Sequence, residues 1–288
     1  MKKNQIAFTN TEAKKMRNSA EGHKCPRAMR LVRNALLAGA LLGAPAAYAG
    51  DEGALLAPTG HLRVGVYAGS PTSMVTDPAS HETHGVTYEL GKDFAERLHV
   101  PVDYVTFPRI ADVVSAIKDG KVDFTVTNAT PVRAKDVDFS QILLAVELGY
   151  LIPAKSPIGR PEEMDRQGIR IGVTKGGTSE RVLSDKFKNA TVVSAESVTR
   201  AIEMIQSGEL DVYATNKAIL FQMAEQLPGS RVLDDNWGQE HMAIAVPKGR
   251  DGGRALLDAF VHDVQSNGRL EQVEASAGLK GAVKPGKK

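Results

Sequence analysis

Residues 120–128 read GKVDFTVTN, and residues 208–216 read GELDVYATN. Both stretches have Gly at the first position, Asp at the fourth, and Thr followed by Asn at the end. Each comes directly after a segment with apolar residues at helical spacing, at 111–119 and at 198–207. Because a helix, a glycine turn and a short strand occur twice in the same order, the sequence predicts two similar α/β lobes.

The two halves also begin alike, with RVGV at 63–66 and RIGV at 170–173. In open α/β sheets, ligands bind beyond the carboxyl ends of the strands. Asn128 and Asn216 stand at such ends, one in each half, so both are expected to contact a ligand. The pattern therefore predicts a cleft between two lobes that close around a small molecule.

The N-terminal segment has the features of a secretory signal peptide. A basic stretch is followed by small apolar residues at 34–47 and by a small-x-small cleavage signal at 47–49. We therefore predict a signal peptide at 1–49 and a periplasmic location for the rest of the chain. Three methionines could start this leader, namely Met1, Met16 and Met29.

The net charge changes once this leader is removed. The leader contains nine of the 36 Lys/Arg and two of the 34 Asp/Glu, which leaves 27 basic and 32 acidic residues, a formal net charge of −5. A negative charge removes the electrostatic argument for nucleic-acid binding. The only cysteine, Cys25, also lies in the leader, so the exported part has no disulfide and no thiol nucleophile. We expect a soluble monomer without a cofactor.

Hydrophobic spacing and turn residues predict the elements of the two lobes. Helices are expected at 86–98, 110–118, 178–187, 198–207, 216–226 and 255–265, and strands at 62–66, 102–107, 122–126, 143–152, 169–173, 191–194, 210–213 and 242–246. The apolar strands 143–152 and 242–246 are expected to cross from one lobe to the other and back. The domain assignment is a linker at 50–60, lobe 1 at 61–148 plus 247–279, lobe 2 at 149–246, and a disordered tail at 280–288.

Arg133 is the strongest candidate for a ligand contact. It lies in TNATPVRAKDVDFS, a few residues beyond the strand that ends at Asn128. A guanidinium presents five donors in a plane and can bind a carboxylate through two hydrogen bonds. Two alternatives stay open at this point, a solvated surface arginine and an ion pair with Asp136.

A second candidate is the turn at 174–178, which precedes a predicted helix. Free backbone N–H groups and the helix dipole favour an anion at such a position, and Gly177 and Thr178 are the residues expected there. The alternative is an ordinary helix start with Thr178 or Ser179 as its cap. Tyr67 and Ser70 follow the first strand and are expected to form a wall of the cleft, although Tyr67 could equally pack on its own lobe.

Other patterns that could carry chemistry are weak. The segment His81-Glu82-Thr83-His84 has a metal-ligand spacing but no obvious third ligand, so no metal site is predicted. The sequence contains no G-x-S-x-G motif, and no Ser-His-Asp triad or other catalytic residue is predicted. Trp237 fits either a wall of lobe 2 or its core.

Six stretches occur in one order along the chain: RVGV, GVTYELGKDFAERL, GKVDFTVTNATPVRAKDVDFS, RIGVTKGGTSE, GELDVYATNKAIL and IAVPKG. In this order they resemble the family 3 bacterial extracellular solute-binding proteins, the periplasmic receptors of polar amino-acid ABC importers. The most specific part is the segment with Thr130, Arg133 and the Asp-Phe-Ser at 138–140, and Thr130 is expected at the ligand site. The resemblance implies a type II periplasmic-binding-protein-like α/β fold, with two lobes joined by two hinge strands, and an ABC permease as partner.

The resemblance also implies roles for single residues. The family's arginine in this segment binds the ligand α-carboxylate and falls on Arg133, and the Ser or Thr five residues earlier falls on Asn128. The helix-start contact of lobe 2 falls on Gly177 and Thr178. The acidic partner of the α-ammonium falls on Asn216, and only Tyr67 could replace the aromatic that stacks on the ligand near Ser70.

The asparagine at position 216 bears on the ligand class. A neutral amide is a poorer partner for a buried ammonium than a carboxylate is. Asn216 therefore favours a solute with a carboxylate and no free ammonium, or a dicarboxylate held from both ends. On this argument, Asn216→Asp should improve the binding of α-amino acids.

Three functions are compatible with these residues. The first, which we favour, is a receptor that binds a small carboxylate-bearing solute, such as an amino acid or a similar organic acid, and delivers it to an ABC permease without catalysis. The second is an enzyme similar to the periplasmic cyclohexadienyl dehydratases, with Glu147 or Lys217 as acid/base groups, although structural roles suit both residues better. The third is a sensor, which would need a membrane or kinase segment that the sequence does not show.

Overall fold

The computed structural model describes residues 51–284, so the predicted signal peptide and residues 285–288 lie outside the described part. Its α-helices are α1 (Asp51–Leu56), α2 (Val86–Leu98), α3 (Ile110–Lys118), α4 (Thr178–Lys186), α5 (Val198–Gln206), α6 (Lys217–Glu225), α7 (Arg254–Ser266) and α8 (Arg269–Ser276). Its strands are β1 (Leu62–Tyr67), β2 (Val75–Thr76), β3 (Thr83–His84), β4 (Val102–Phe107), β5 (Thr125–Asn128), β6 (Val137–Ile152), β7 (Arg170–Thr174), β8 (Thr191–Ala195), β9 (Val212–Asn216), β10 (Arg231–Val232), β11 (Gly238–Pro247) and β12 (Ala282–Val283). None of the described helices combines the length and the apolar character that a membrane span needs.

Lobe 1 has helices on both faces of a small parallel sheet. β1 pairs in parallel with β4, and a parallel bridge between Val64 and Phe124 adds the segment that leads into β5. Val64 packs closely against Gly91 of α2, whereas a Cβ on the next residue, Gly65, would lie 2.7 Å from Val113 of α3. Since successive strand residues point to opposite faces, α2 and α3 cover opposite sides of the sheet.

Lobe 2 repeats this arrangement. β7 pairs in parallel with β8 and with β9. Ser197 caps the start of α5, and its side chain accepts a hydrogen bond from the backbone N–H of Arg200. Gly172 is the counterpart of Gly65, because a Cβ there would lie 2.5 Å from Cδ1 of Leu210. The glycine shared by RVGV and RIGV therefore permits close packing in both lobes.

The Gly-x-x-Asp repeat has one structural role in both lobes. The glycine that opens each copy has a left-handed φ, 66° in the first copy and 75° in the second, which glycine adopts at little cost. The aspartate of each copy binds the arginine that precedes the lobe's Val/Ile-Gly-Val: Asp123 binds Arg63 and Asp211 binds Arg170. In each lobe, this ion pair thus connects the segment that leads into the strand ending at the cavity (β5 or β9) to the first strand of the lobe (β1 or β7).

Two long antiparallel strands connect the lobes. β11 pairs with β5 of lobe 1 and with β6, and β6 continues into lobe 2, where Leu148–Leu151 pair with β9. The resulting sheet has the strand order β5-β11-β6-β9-β7-β8, and β10 and β12 also pair with β6. The two predicted crossing strands are confirmed, and both extend further towards the N-terminus than the sequence pattern indicated.

Two flanking segments differ from the prediction. Residues 51–56, expected as part of a linker, form α1; Leu56 is buried, and its carbonyl oxygen accepts a hydrogen bond from Arg250 Nη1 at 2.9 Å. Residues 282–283, expected in a disordered tail, form β12 opposite Val146 and Ala145 of β6. Both segments are too short to show a periodic pattern, and tertiary contacts order them.

Candidate ligand-binding site

A cavity lies between the lobes, at the carboxyl ends of β1, β5, β7 and β9 and beside β11. It encloses about 450 Å³, with the solvent at its mouth included. Six of the eight predicted site residues line it, and Ser70 and Thr130 do not. The lining residues come from both lobes and from β11: Tyr67, Ile110, Thr127, Asn128, Arg133, Thr174, Gly177, Thr178, Ser179, Thr215, Asn216, Ile219, Glu240 and Met242.

Arg133 contributes a guanidinium to this cavity. Its Nη1 donates to Thr127 Oγ1 at 2.7 Å and to the carbonyl oxygen of Asn128 at 3.3 Å. Burial lowers the pKa of the guanidinium. Among residues 51–284 no carboxylate lies within 4 Å of it, and Asp136, the alternative partner, pairs with Lys118 at 2.9 Å. Arg133 is therefore a partly buried cation with no ion-pair partner within 4 Å among the described residues, and the Glu240 carboxylate acts on it only from further away.

Thr130 and Asn128 hold other parts of the site in place. Thr130 Oγ1 accepts a hydrogen bond from the backbone N–H of Arg133 at 3.2 Å, behind the cavity wall. Asn128 Nδ2 donates to Thr178 Oγ1 at 3.1 Å, and Asn128 Oδ1 accepts from the backbone N–H of His241 at 3.0 Å. Both ends of the Asn128 amide are thus used, and its side chain joins lobe 1 to α4 of lobe 2 and to β11.

Tyr67 lines the cavity, and Ser70 lies behind it. The Tyr67 hydroxyl donates to Ser70 Oγ at 3.2 Å, and Ser70 Oγ lies 2.9 Å from Thr72 Oγ1. Ser70 is completely buried. Burial also raises the pKa of the Tyr67 hydroxyl, so this group stays neutral around pH 7. Tyr67 thus forms a neutral aromatic wall that Ser70 supports from behind.

The start of α4 faces the cavity from lobe 2. The residue at the N-cap position is Gly177, which has no side chain to cap the helix. Neither Thr178 nor Ser179, the two alternatives, is the cap. A Cβ at Gly177 would lie 2.9 Å from the carbonyl oxygen of Thr174. The N–H groups of the first helical turn have no partner within the helix, and the helix dipole makes this end attractive to an anion.

Asn216 does not offer a free amide to the cavity. Its Oδ1 accepts from the backbone N–H of Ile219 at 3.1 Å as the cap of α6, and its Nδ2 donates to Glu240 Oε2 at 2.9 Å. Glu240 lies on β11 and lines the same cavity. Within the described part of the chain, its Oε1 accepts no hydrogen bond and no Lys, Arg or His nitrogen lies within 4 Å of the carboxylate. The cavity therefore contains an acidic residue beside the neutral Asn216.

The sequence pattern did not indicate Glu240. The strand was expected to begin at Met242, whereas β11 begins at Gly238. Glu240 and Met242 are two residues apart, and both line the cavity, as the period of a strand requires. Extending the apolar strand backwards by its own alternation is the signal that could have identified Glu240.

The lobes contact each other around the cavity. Asn128 of lobe 1 donates to Thr178 of lobe 2, and Arg109 of lobe 1 forms an ion pair with Glu196 of lobe 2. Lys175 Nζ, also in lobe 2, lies 2.6 Å from the other oxygen of Glu196. Direct contacts between the two lobes thus flank the cavity.

The residues considered for catalysis lie elsewhere. Lys217 Nζ lies 2.8 Å from Glu147 Oε2, and it also donates to the carbonyl oxygen of Asp234 at 2.7 Å. Neither Lys217 nor Glu147 lines the cavity. Trp237 packs against a buried cluster of lobe 2, and its indole N–H donates to the carbonyl oxygen of Gly149 at 3.0 Å. All three side chains have structural partners at or near the crossing strands.

Two α/β lobes on a pair of crossing strands, with a guanidinium and a helix start facing the cavity between them, define a two-lobed solute-binding protein. Residues 62–277 match the profile of the bacterial extracellular solute-binding proteins, family 3, and the chain belongs to that family.

Proteins similar to this chain include named binding proteins. The ABC transporter glutamine-binding protein GlnH of Bacillus subtilis is 25% identical over 201 residues, which are 68% of this chain and 73% of GlnH. A crystal structure of the solute receptors for L-cysteine of Neisseria gonorrhoeae has a TM-score of 0.70 and 26% identity, and the match covers 78% of this chain and 92% of that one. The predicted type II two-lobed fold is thereby confirmed.

A part of an enzyme is also similar. Membrane-bound lytic murein transglycosylase F of Ectopseudomonas mendocina is 27% identical over 226 residues, which are 75% of this chain but only 45% of the enzyme. The chain therefore spans less than half of that protein. Family membership by itself does not distinguish a binding protein from an enzyme, and that distinction depends on the residues of the cavity.

Proposed function

We propose that this protein is the solute receptor of an ABC importer and binds an amino acid or a similar small organic acid by closing its lobes around it. The observation that carries this proposal is Arg133, a partly buried guanidinium in the cavity with no carboxylate within 4 Å among the described residues. Removing a cation from water is costly unless an anion compensates it. A solute carboxylate would supply that anion.

The surroundings of Arg133 favour a carboxylate over other anions. Thr127 and the Asn128 carbonyl use only Nη1, so the remaining nitrogens are free for a planar, bidentate partner. The free N–H groups at the start of α4 approach the same cavity from lobe 2. A carboxylate held by Arg133 and α4 would touch both lobes, and ligand binding would thereby favour the closed arrangement.

Similar proteins support the same partner, and the family's description as extracellular supports export from the cytoplasm. GlnH and the gonococcal L-cysteine receptor are named as amino-acid binders, and the former belongs to an ABC transporter. We therefore propose an ABC permease as the partner and the periplasm as the location. We further propose binding without turnover, because the candidate acid/base pair Glu147 and Lys217 is engaged in an ion pair outside the cavity.

Isothermal titration of the purified protein tests this function. The panel contains amino acids, keto acids, dicarboxylates and prephenate, and NMR spectra of each bound compound after incubation would reveal turnover. We expect Arg133→Ala to weaken binding by at least about 2 kcal/mol, about 30-fold, as for truncation of a buried charged contact. Lys135→Ala, an exposed cation two residues away, is the matched control and should bind normally. Unchanged affinity in Arg133→Ala would contradict the carboxylate assignment, and product formation would contradict the receptor function.

A further inference from the structure

We propose that Glu240, held in position by Asn216, binds the ammonium group of the solute, and that the solute is an α-amino acid with an uncharged side chain. This inference rests on the proposed function, because it assigns the second charged group of a ligand whose carboxylate Arg133 binds. It replaces the expectation, drawn from Asn216, of a ligand without an ammonium.

The hydrogen bonding of Glu240 leaves one carboxylate oxygen available for a cation. Asn216 Nδ2 donates to Oε2 at 2.9 Å and fixes the carboxylate at the cavity wall. No described residue donates to Oε1, and no described cationic nitrogen lies within 4 Å. Glu240 is partly buried, and no cation lies in direct contact with it, so a ligand that brings a cation would compensate the loss of hydration on binding.

Glu240 and Arg133 present opposite charges to one ligand. Both line the same cavity, and they attract each other across it, but they do not approach within the 4 Å of an ion pair. Both act on the Tyr67 hydroxyl between them. Burial is the main cause that raises the pKa of this hydroxyl, and the hydrogen bond to Ser70 lowers it; Glu240 raises the pKa further, and Arg133 lowers it. A separated guanidinium and carboxylate complement the carboxylate and ammonium of a zwitterion.

Other carboxylic acids fit these charges less well. A keto acid or a hydroxy acid would satisfy Arg133 and leave Glu240 without a cation. A dicarboxylate would place its second anion near Glu240, and like charges repel strongly in a site from which water is excluded. The α-ammonium of an amino acid is the one group among these ligands that neutralises Glu240.

The remaining walls indicate the side chain. Ile110, Ile219 and Met242 are apolar, and the threonines and serine of the wall offer only hydroxyl groups. Among the described lining residues, Arg133 and Glu240 are the only charged ones. An acidic or basic ligand side chain would therefore be buried without a counter-charge, whereas an uncharged side chain pays no such penalty.

The first test needs only the wild-type protein. Titration with all twenty L-amino acids identifies the tightest binder, which is then compared with its α-hydroxy acid, the analogue with hydroxyl in place of ammonium. We expect the tightest binder to have an uncharged side chain and to bind at least about 30-fold more tightly than the hydroxy acid, since a buried charge would otherwise lose its partner. Arginine, lysine, aspartate and glutamate should bind more weakly than it.

The second test uses Glu240→Gln, which keeps the shape of the side chain and an oxygen for Asn216. We expect the amino acid to bind at least about 30-fold more weakly and the hydroxy acid to bind as before, so the preference between them should disappear. Asp235→Asn, a carboxylate-to-amide change on the exposed loop before β11, is the control and should keep the preference.

The outcomes separate this inference from the proposed function. If the wild-type protein binds the hydroxy acid as tightly as the amino acid, and Arg133→Ala loses both, the role of Glu240 is wrong while the receptor function stands. A charged amino acid as the tightest ligand would overturn the side-chain assignment. If no carboxylic acid binds, both proposals are wrong.

Discussion

Asp123 binds Arg63 through both carboxylate oxygens, with Oδ2 2.7 Å from Nε and Oδ1 2.7 Å from Nη2. Arg250 Nη2 lies 2.8 Å from Oδ1, and the Asp123 side chain is completely buried. The second copy of the repeat forms the same bidentate pair between Asp211 and Arg170, at 2.9 Å for both contacts, but the Asp211 side chain is 17% exposed. One sequence repeat therefore produces the same ion pair at two different depths.

This difference in depth predicts unequal effects of one substitution. Asp123→Asn should lower the free energy of unfolding by about 3–5 kcal/mol, because two arginines lose a buried counter-charge. At this chain length, that corresponds to a fall in Tm of about 6–20 °C. Asp211→Asn is the matched control and should cost about 1 kcal/mol or less, since water reaches this pair. Thermal unfolding followed by circular dichroism measures both, and equal losses would contradict the argument.

Acid should remove the contribution of Asp211. Burial raises the pKa of this carboxyl, but the hydrogen bonds from Arg170 outweigh burial, and the pKa lies below its ordinary value. A group with a lowered folded-state pKa stabilises the fold above its unfolded pKa, about 3.9, and this stabilisation is lost as the pH falls through the folded value. The difference in urea midpoint between wild type and Asp211→Asn should stay constant from pH 8 to about pH 5 and shrink below about pH 4. A difference that grows in acid would show that the sign is wrong.

Local patterns gave the elements of lobe 1 with particular accuracy. The helices at 86–98 and 110–118 and the strand at 102–107 have the bounds that hydrophobic spacing indicated. These segments have apolar residues at a regular period and turn residues at their ends, so their structure is set locally. α1 and β12 lack such a period, and their order depends on contacts with Arg250 and with β6.

The candidate site divides in the same way. Asn128 could be predicted because it ends a strand of the repeated pattern, and Arg133 because it follows that strand end closely. Glu240 could not, because its place in the cavity depends on the pairing of β11 with β5 and β6, which no local pattern specifies. The hydrogen bond from Asn216 to Glu240 depends on the same pairing. Because of this hydrogen bond, Asn216 positions an acidic side chain at the cavity, whereas the sequence alone indicated only that an acidic residue was missing.

The ion pair between Arg109 and Glu196 should slow ligand release, because it joins the two lobes. Glu196→Gln removes it, and we expect dissociation to become about two- to five-fold faster with little change in Tm, as for an exposed pair. Salt at about 0.5 M should reduce the difference from wild type through screening. Lys175→Met is the control, because Lys175 contacts Glu196 within lobe 2 only. Stopped-flow measurements decide the matter, and an equal effect of both variants would exclude a specific role for the contact between lobes.

Asn216→Asp now has the opposite expectation to the one drawn from the sequence. Aspartate can still cap α6, since it accepts from the backbone N–H of Ile219 as asparagine does. It cannot donate to Glu240 Oε2, which lies only 2.9 Å from the present Nδ2. Two carboxylates at this distance repel each other, so Glu240 should move or one of the two should take up a proton.

We therefore expect Asn216→Asp to bind its amino acid about tenfold more weakly than the wild-type protein at pH 8. Because like charges raise the pKa of one carboxyl of the pair, a shared proton at lower pH should restore the hydrogen bond, and affinity should approach the wild-type value near pH 5. A merely structural loss at position 216 would not recover in acid, so the pH profile separates the two causes. Titration at several pH values provides the measurement, and tighter binding than wild type at pH 8 would show that the ammonium prefers two carboxylates and that Asn216 does limit the site as the sequence suggested.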